Sequence, residues 1–378
     1  MRIGIAHIEY SRRKGIERNS AELADRIAAR GHEVHFHCAK WMDASLSRVI
    51  FHRVPTLNIV NSTRILSYAM LCFRDVKQGR YDLTHSHGGI VGCDVITAHS
   101  CHCAGMEIRR RLKEKMLGGR IYFGVADRIR LMIEHENYRK RRYKKIIAVS
   151  EGVKRELVRY YDVPGEDIVV IPNGVDLDEF NPANRPRFRD PLREKLGISS
   201  VFPVLIFVAN EFDRKGLGVI IEALPLLKIP KLRLLVLGGD NNLPYLGLAQ
   251  KLGVESQILF LGNVREISRY YAASDLFVLP TFYEAFSVAT LEAAAAGLPL
   301  LVTKVNGTEE LVKDGYNGYF ISRNPESIAE KVAVLLSDKE KLTKLGANAR
   351  KSAEPYSWDS VTERTLSVYE EIRHWKSS

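Results

Sequence analysis

The sequence has little cysteine and no long uncharged apolar run. Its five cysteines are an odd number, and Cys101 lies beside Cys103, which is unlike the disulfide framework of a secreted domain. The first residues, MRIGIAHIEY, have neither an h-region nor a small-residue cleavage site, and no apolar run reaches the roughly 18 residues of a spanning helix. These absences predict a cytoplasmic protein that does not cross a membrane.

Two common nucleotide-binding motifs are also missing. No GxGxxG follows a strand-like run, which counts against an NAD-dependent enzyme, and no GxxxxGK[ST] occurs, which counts against a P-loop hydrolase. The length of 378 residues fits two domains, and 46% apolar with 27% charged residues is ordinary for a globular protein.

The net charge of +11 is concentrated in one segment. Residues 109–145 contain 14 lysines and arginines against 4 aspartates and glutamates, so the rest of the chain is almost neutral. The segment mixes its basic residues with apolar ones, as an interfacial helix does. We therefore predict an anionic membrane surface as a partner, and no nucleic acid, with the protein peripheral on the inner face of the membrane. A solvated basic face is the alternative interpretation.

Strand-like runs alternate with amphipathic segments through both halves of the chain, which predicts two doubly wound parallel α/β sheets. We predict a first domain over 1–172, a linker over 173–195 that is rich in Pro, Asn and Asp, and a second domain over 196–357. The C-terminal segment 358–378 has apolar residues at helical spacing.

The segment TFYEAFSVATLEAAAAGLPLLVT carries the densest chemical signal. Glu284 follows a predicted strand, so it should lie at the carboxyl edge of a parallel sheet, where doubly wound folds bind ligands. Phe286, Ser287 and Val288 lead into a helix whose unpaired N–H groups form a phosphate site. Glu292 lies about one turn inside that helix, where it can accept a hydrogen bond from a ribose. In the alternative interpretation, the two glutamates only interact favourably with the dipole at the start of the helix.

Two further loops should meet ligands at sheet edges. Arg214 and Lys215, in NEFDRKG, follow the first strand of the second half, and two fixed cations there can stabilise a diphosphate leaving group. An exposed basic turn is the alternative. Gly15, in the turn before the first helix, would let the backbone approach a ligand closely.

Histidines and cysteines cluster in THSHGG and TAHSCHC. The spacing of these residues fits no structural zinc pattern, and we predict no metal ligands. His99, at the end of CDVITAH, is best placed to act as a hydrogen-bonding group. The other members of the cluster are His85, His87, Cys101, His102 and Cys103.

Six strings along the chain have a recognisable pattern: KGIERNSAELADRIAARGHEV, IIAVSEGVKREL, VIPNGVDLDEF, DRKG, ASDLFVLPTFYEAFSVATLEAAAAGLPLLVT and GTEELVKDGYNGYF. Taken together, these strings resemble family 4 of the retaining glycosyltransferases, which have the GT-B fold: two facing Rossmann-like domains with a cleft between them. The basic, helix-rich insertion ending in HENYRKRRYKKI resembles that of enzymes of lipopolysaccharide synthesis.

The resemblance implies roles for these residues. Glu284 would hold the donor sugar, Glu292 the ribose, and Arg214 with Lys215 the diphosphate. Phe286, Ser287 and Val288 would offer backbone N–H groups to phosphate, and Gly15 would line the diphosphate and acceptor side of the cleft. Gly262, Asn263 and Val264 would approach the base through backbone atoms, and His99 would lie near the reacting sugar. The last helix, 358–378, would complete the first domain. The chain departs from the family pattern at Lys14–Gly15, where paired glycines are usual, and at Ser287.

The implied reaction transfers a hexose from a nucleotide-diphosphate sugar, of the UDP-glucose type, to a glycan or lipid-linked hydroxyl. It retains the α-configuration and needs no metal or other cofactor. The alternatives are a nucleotide-sugar 2-epimerase, a pyridoxal-dependent phosphorylase, and a non-catalytic protein that binds sugar nucleotides.

Overall fold

The computed structural model describes residues 1–12, 15–42, 47–117 and 123–377. The chain forms two compact units, which are Met1–Gly174 with Trp358–Ser378 (unit 1) and Val175–Ser357 (unit 2). Lys14 of the first predicted loop and residues 118–122 of the basic segment lie outside the described residues. Among the helices that are described, none is both long enough and apolar enough to span a bilayer.

Unit 1 is built on a seven-stranded parallel sheet with the order β5-β3-β1-β6-β7-β8-β9. A separate two-stranded pair joins β2 to β4. The strands are β1 (Arg2–Ala6), β2 (Glu9–Tyr10), β3 (Glu33–Cys38), β4 (Lys40–Trp41), β5 (Ile50–Arg53), β6 (Leu83–Ser86), β7 (Val95–Ala98), β8 (Lys145–Ala148) and β9 (Ile168–Val170). Strands β1, β3 and β7 are almost entirely buried, which is typical of a parallel sheet covered on both faces.

Helices link these strands, and the last helix of the chain returns to the same unit. Apolar side chains of that last helix, including Val361, Tyr369 and Ile372, are buried in one cluster with Ile3, Ile5 and other residues of unit 1. The helices are α1 (Gly15–Ala29), α2 (Asn61–Gln78), α3 (His102–Leu117), α4 (Val125–Glu134), α5 (Glu151–Tyr161) and α15 (Trp358–Ser377), with a π-helical turn at His135–Arg139.

Unit 2 is built on a six-stranded parallel sheet with the order β12-β11-β10-β13-β14-β15. The strands are β10 (Val204–Val208), β11 (Arg233–Leu237), β12 (Ile258–Gly262), β13 (Leu276–Leu279), β14 (Leu300–Val302) and β15 (Gly318–Phe320). The helices are α6 (Arg185–Lys195), α7 (Phe212–Lys215), α8 (Leu217–Leu227), α9 (Leu243–Lys251), α10 (Ile267–Ala273), α11 (Val288–Ala295), α12 (Thr308–Leu311), α13 (Pro325–Ser337) and α14 (Lys339–Ala353). The two parallel α/β sheets confirm the predicted fold class.

The predicted linker 173–195 differs from the structure, because from Val175 onward it belongs to unit 2 and its second half is helix α6. The reason is an ion-pair cluster that fixes α6 to the start of β13. Arg185, Arg189 and Arg193 all donate to the Asp275 carboxylate, at distances of 2.6 to 2.8 Å. Burial alone would raise the pKa of Asp275, but the three guanidinium groups outweigh it and lower that pKa. Composition alone had suggested an irregular connection.

Candidate active site

The candidate site of unit 2 lies at the carboxyl edge of its sheet, where β10 and β13 are neighbours. The chain leaves β10 towards β11 on one side, and β13 lies on the other side, so this is the point at which the strand order reverses. Doubly wound sheets bind ligands at such a point. Arg214 and Lys215 follow β10, and Glu284 follows β13, so the topology brings the three predicted residues to one edge.

The connection after β10, predicted as a loop, contains the short helix α7 and is fixed against the loop after β13 by a close backbone approach. Gly216 has a φ of 81°, and a Cβ at this position would lie 2.4 Å from the carbonyl oxygen of Pro280. Only glycine fits there without displacing the backbone. The Phe282 amide donates to the Arg214 carbonyl oxygen at 2.9 Å, which adds a second link between the loops. The glycine of DRKG therefore sets the position of the two cations before it.

Arg214 bridges both loops through its side chain. Its guanidinium donates to the carbonyl oxygen of Tyr283 and makes two bonds, of 2.9 and 3.0 Å, to the Glu211 carboxylate. Glu211 has a φ of 131°, a value that non-glycine residues rarely adopt and that tends to occur at functional sites. Since the Glu211 side chain is 62% exposed while that of Arg214 is 21% exposed, the pair can be solvated and opened by a ligand.

Lys215 forms an ion pair with Glu284, in which its ammonium group donates to Oε1. The two side chains are only 14% and 9% exposed. Burial lowers the pKa of Lys215, and the charge of Arg214 acts in the same direction. The Glu211 carboxylate opposes both effects, because a nearby opposite charge favours the ammonium form. The site thus places the Lys215 amine and the Glu284 carboxylate side by side, with both side chains largely buried.

Helix α11 begins next to this pair and provides backbone donors. Ser287 is its N-cap, and the Ser287 hydroxyl accepts from the amide of Thr290 at 3.2 Å. Ser287, the predicted departure from the family pattern, is thus explained locally, since serine is a favoured N-cap. The amides of Val288 and Ala289 find no acceptor within the part of the chain that the structure describes. Such amides, with the positive end of the helix dipole, form an anion site.

Phe286 and Glu292 lie on either side of that helix start, and both are buried. A Cβ on Gly307, which has a φ of 74°, would lie 2.7 Å from Cα of Phe286, so the loop after β14 packs tightly on this turn. Glu292 is 7% exposed and accepts from the Tyr271 hydroxyl at 3.1 Å. Sequence reasoning missed Tyr271, because nothing in its spacing connects it with a glutamate 21 residues further on.

Gly262 is the last residue of β12, and Asn263 and Val264 follow it, two strands from β10 on the same edge. The carbonyl oxygen of Gly262 accepts from the Gly238 amide at 2.9 Å, which joins the loops after β11 and β12. Asn263 and Val264 line a cavity of about 460 Å³ together with residues of α6 and α10. The predicted base-binding residues thus lie on the edge that carries Lys215, and two of them line this cavity.

The predicted residues of unit 1 lie at the carboxyl edge of its own sheet. His99 follows β7, and its Nε2 lies 3.0 Å from Nδ1 of His87, which follows β6. His7 follows β1, and its Nδ1 has no hydrogen-bond partner within the described residues, as is also true of Nε2 of His87. Burial lowers the pKa of His99 to about 3 and that of His7 to about 4, so these imidazoles are neutral at physiological pH. Sequence reasoning missed His7.

Gly15 is the first residue of α1 and is exposed. A Cβ there would meet no atom within 4 Å, and its φ lies outside the left-handed region, so the described structure makes no demand for glycine at this position. The approach of a ligand to Gly15 therefore stays a prediction.

The remaining histidines of the two strings, His85 and His102, have different partners. Nδ1 of His85 lies 2.5 Å from the Tyr369 hydroxyl and Nε2 lies 2.7 Å from Oγ1 of Thr97, so both ring nitrogens are satisfied in the core. His102 begins α3 and lies 3.2 Å from Asp127 of α4. All five cysteines are free thiols.

Comparison with known proteins gives the class of this fold and site. The model "Glycosyltransferase Family 4" matches residues 13–179, and the model "Glycosyl transferases group 1" matches residues 188–352. The chain belongs to the family 4 glycosyltransferases, with the GT-B fold. It is 27% identical over 386 residues to an uncharacterized glycosyltransferase of Methanocaldococcus jannaschii, with 98% of each chain covered.

Within that class the chain resembles WaaG, the lipopolysaccharide glucosyltransferase of Escherichia coli. The two are 25% identical over 361 residues, which is 94% of each chain. The crystal structure of WaaG matches with a TM-score of 0.83 over 97% of this chain and 99% of that one. HepE of Anabaena, solved with UDP and glucose, shares the fold with a TM-score of 0.77 at 18% identity, over 98% of this chain and all of that one.

Proposed function

We propose that the protein transfers a hexose from a nucleotide-diphosphate sugar of the UDP-glucose type to a hydroxyl of a glycan or lipid-linked acceptor, with retention of the α-configuration. The observation that carries the proposal is the grouping of Arg214, Lys215 and Glu284 beside the open end of α11. The choice of glucose is supported by the likeness to WaaG, which is a glucosyltransferase.

In this proposal the diphosphate lies between Arg214, Lys215 and the first amides of α11. These fixed donors stabilise the charge that develops as the bond between sugar and phosphate oxygen breaks, which is the role usually taken by a metal ion. Glu284 accepts from sugar hydroxyls while it remains paired with Lys215, since a carboxylate has about four acceptor positions. Glu292 accepts from the ribose in the same way, beside its bond from Tyr271.

The acceptor hydroxyl attacks the face that the diphosphate leaves, and a phosphate oxygen takes the hydroxyl proton. The new bond joins the acceptor oxygen to the anomeric carbon, and the bond to phosphate breaks. No protein group need act as a general base. His99, as a neutral imidazole, would orient the sugar or the acceptor by a hydrogen bond. No metal or other cofactor takes part in this scheme.

The experiment that tests this proposal is transfer from UDP-glucose to a lipopolysaccharide truncated before its first hexose, in EDTA. We expect UDP release and an α-linked product, identified from the anomeric proton coupling by NMR. A β-linked product, or activity only with Mg²⁺, would contradict the mechanism. Epimerised donor in a reaction without acceptor would favour a 2-epimerase.

We further propose that the protein attaches to anionic membranes through the basic segment 109–145. Its helix α4 carries exposed apolar side chains, with Val125 63% and Met132 50% exposed. The adjacent α2 adds Met70, which is 65% exposed, and Leu71. Basic residues beside exposed apolar groups are the pattern of an interfacial helix.

Liposome flotation tests the membrane proposal. We expect flotation with anionic liposomes that weakens at high salt, and that the double variant Met70→Glu/Met132→Glu abolishes. The matched control is Val201→Glu, which changes an apolar residue of unit 2 that is 79% exposed. Equal flotation of both variants, or none by the wild type, would contradict this attachment.

A further inference from the structure

Three side chains from three elements of unit 1 bring potential metal ligands together. They are His37 of β3, His52 of the edge strand β5 and Asp75 of α2, and one ligand atom from each lies within 4.8 Å of the others. His37 and His52 are paired in register on neighbouring strands, and their rings stack with centroids 4.6 Å apart. Nδ1 of His37 lies 2.5 Å from Oδ2 of Asp75.

The chemistry of this set matches a small group of ions. Two imidazoles and one carboxylate form a ligand set for Zn²⁺ and related transition metals, whereas Ca²⁺ and Mg²⁺ prefer oxygen ligands.

Both imidazoles are also held by outer partners, as metal-bound histidines usually are. Nε2 of His37 lies 2.7 Å from the Tyr81 hydroxyl. Nε2 of His52 lies 2.7 Å from Nδ1 of His35, whose own Nε2 lies 2.7 Å from the Glu33 carboxylate. If Nδ1 of His37 coordinated the ion, its ring proton would move to Nε2, where the Tyr81 oxygen can accept it.

An ion can reach this cluster from solvent. The side chain of Asp75 is 44% exposed and His52 is half-buried, while the side chain of His37 is only 2% exposed. The cluster therefore has one open side and one buried side, which is the arrangement that allows entry of an ion and partial exclusion of water.

We propose that His37, His52 and Asp75 form a binding site for one divalent transition-metal ion, with Zn²⁺ as the best match. The ion would join the edge strand β5 to β3 and to α2. Such a link stabilises unit 1, because a metal that binds only the folded chain shifts the folding equilibrium. None of the three residues is assigned to the donor site, so this proposal is independent of the transfer reaction.

The test is competition for Zn²⁺ between the intact protein and a chromophoric chelator, with a Co²⁺ spectrum as a second readout. We expect one ion per chain and d–d absorption bands of a nitrogen- and oxygen-ligated site. His52→Gln and Asp75→Asn should each weaken Zn²⁺ binding by at least about 10-fold. The control is His135→Gln, which removes an exposed histidine elsewhere in unit 1 and should leave the affinity unchanged.

The two variants also separate loss of the site from loss of the fold. Asp75 is partly exposed, so Asp75→Asn should preserve the circular dichroism spectrum and the donor-dependent activity while the Zn²⁺ affinity falls. If Zn²⁺ binds the wild type no more tightly than it binds His52→Gln or Asp75→Asn, the proposed site does not exist. The same conclusion follows if His135→Gln alone removes binding.

Discussion

At the scale of single residues, the site depends on side chains that serve both binding and local structure. Arg214 illustrates this, because the guanidinium proposed to bind the diphosphate also braces the carbonyl of Tyr283. Its variants must therefore be compared with one that weakens another contact of Arg214 and keeps its charge.

Arg214→Ala should slow turnover by roughly 100-fold or more, the usual effect of removing one donor to a developing negative charge. Steady-state kinetics with UDP-glucose measure this effect. The control is Glu211→Gln, which weakens the ion pair of Arg214 but leaves the cation in place. The turnover of Glu211→Gln should stay close to that of the wild type. Near-normal turnover of Arg214→Ala would contradict its role.

The pair Lys215–Glu284 allows stability and function to be separated. Lys215→Met leaves the buried Glu284 carboxylate without its partner, and should lower the free energy of unfolding by about 3 kcal/mol. The double variant Lys215→Met/Glu284→Gln removes both charges and should regain most of that stability. Both variants should have lost transfer activity. A stable and active double variant would mean that the pair is only structural.

At the scale of elements, periodicity and strand–loop–helix order were sufficient to predict both sheets. The segment NEFDRKG follows the buried strand β10, as predicted, although Phe212–Lys215 within it forms the short helix α7 and not a loop. Helix α6 was not predicted, because its stability depends on three arginines meeting Asp275, about 80 to 90 residues away. Sequence spacing does not show such a contact. Tyr271 and His7 were missed for the same reason.

Asp275→Asn should therefore destabilise unit 2 strongly, by about 3 kcal/mol or more, because it leaves three guanidinium groups around a neutral amide. Urea unfolding followed by far-UV circular dichroism measures this loss. Asp190→Asn is the matched control, since Asp190 lies on the same helix and is exposed. A loss as small as that of the control would show that α6 is fixed by its other contacts.

At the scale of the whole molecule, buried neutral histidines make the stability of unit 1 depend on pH. Burial lowers the pKa of His85 to about 3 and that of His7 to about 4, against about 6.5 in the unfolded chain. The unfolded state thus binds more protons below pH 6.5. The stability that these neutral histidines contribute is fully present above pH 6.5. It falls as the pH drops from 6.5 towards the pKa values of His85 and His7 in the folded protein.

We expect each of these histidines to lower the free energy of unfolding by about 1.4 kcal/mol between pH 7.5 and 5.5. All three tryptophans, Trp41, Trp358 and Trp375, lie in unit 1, so tryptophan fluorescence during urea unfolding reports on this unit. His85→Gln should reduce the loss of unfolding free energy between pH 7.5 and 5.5 by the contribution of one histidine. His135→Gln, which changes an exposed histidine, should leave that loss unchanged. An unchanged dependence in His85→Gln would contradict the assignment.

The central claim is that the carboxyl edge of unit 2 binds a nucleotide diphosphate through protein groups alone. The most direct test is a thermal-shift panel of UDP, GDP, ADP and TDP in EDTA, repeated with Mg²⁺. At 100 times its dissociation constant, one nucleotide should stabilise the fold by about 2.7 kcal/mol, or about 5 to 10 °C in Tm for a unit of this size. We predict such a shift with UDP in EDTA, and its loss in Arg214→Ala. No shift with any nucleotide, or a shift that requires Mg²⁺, would contradict the account.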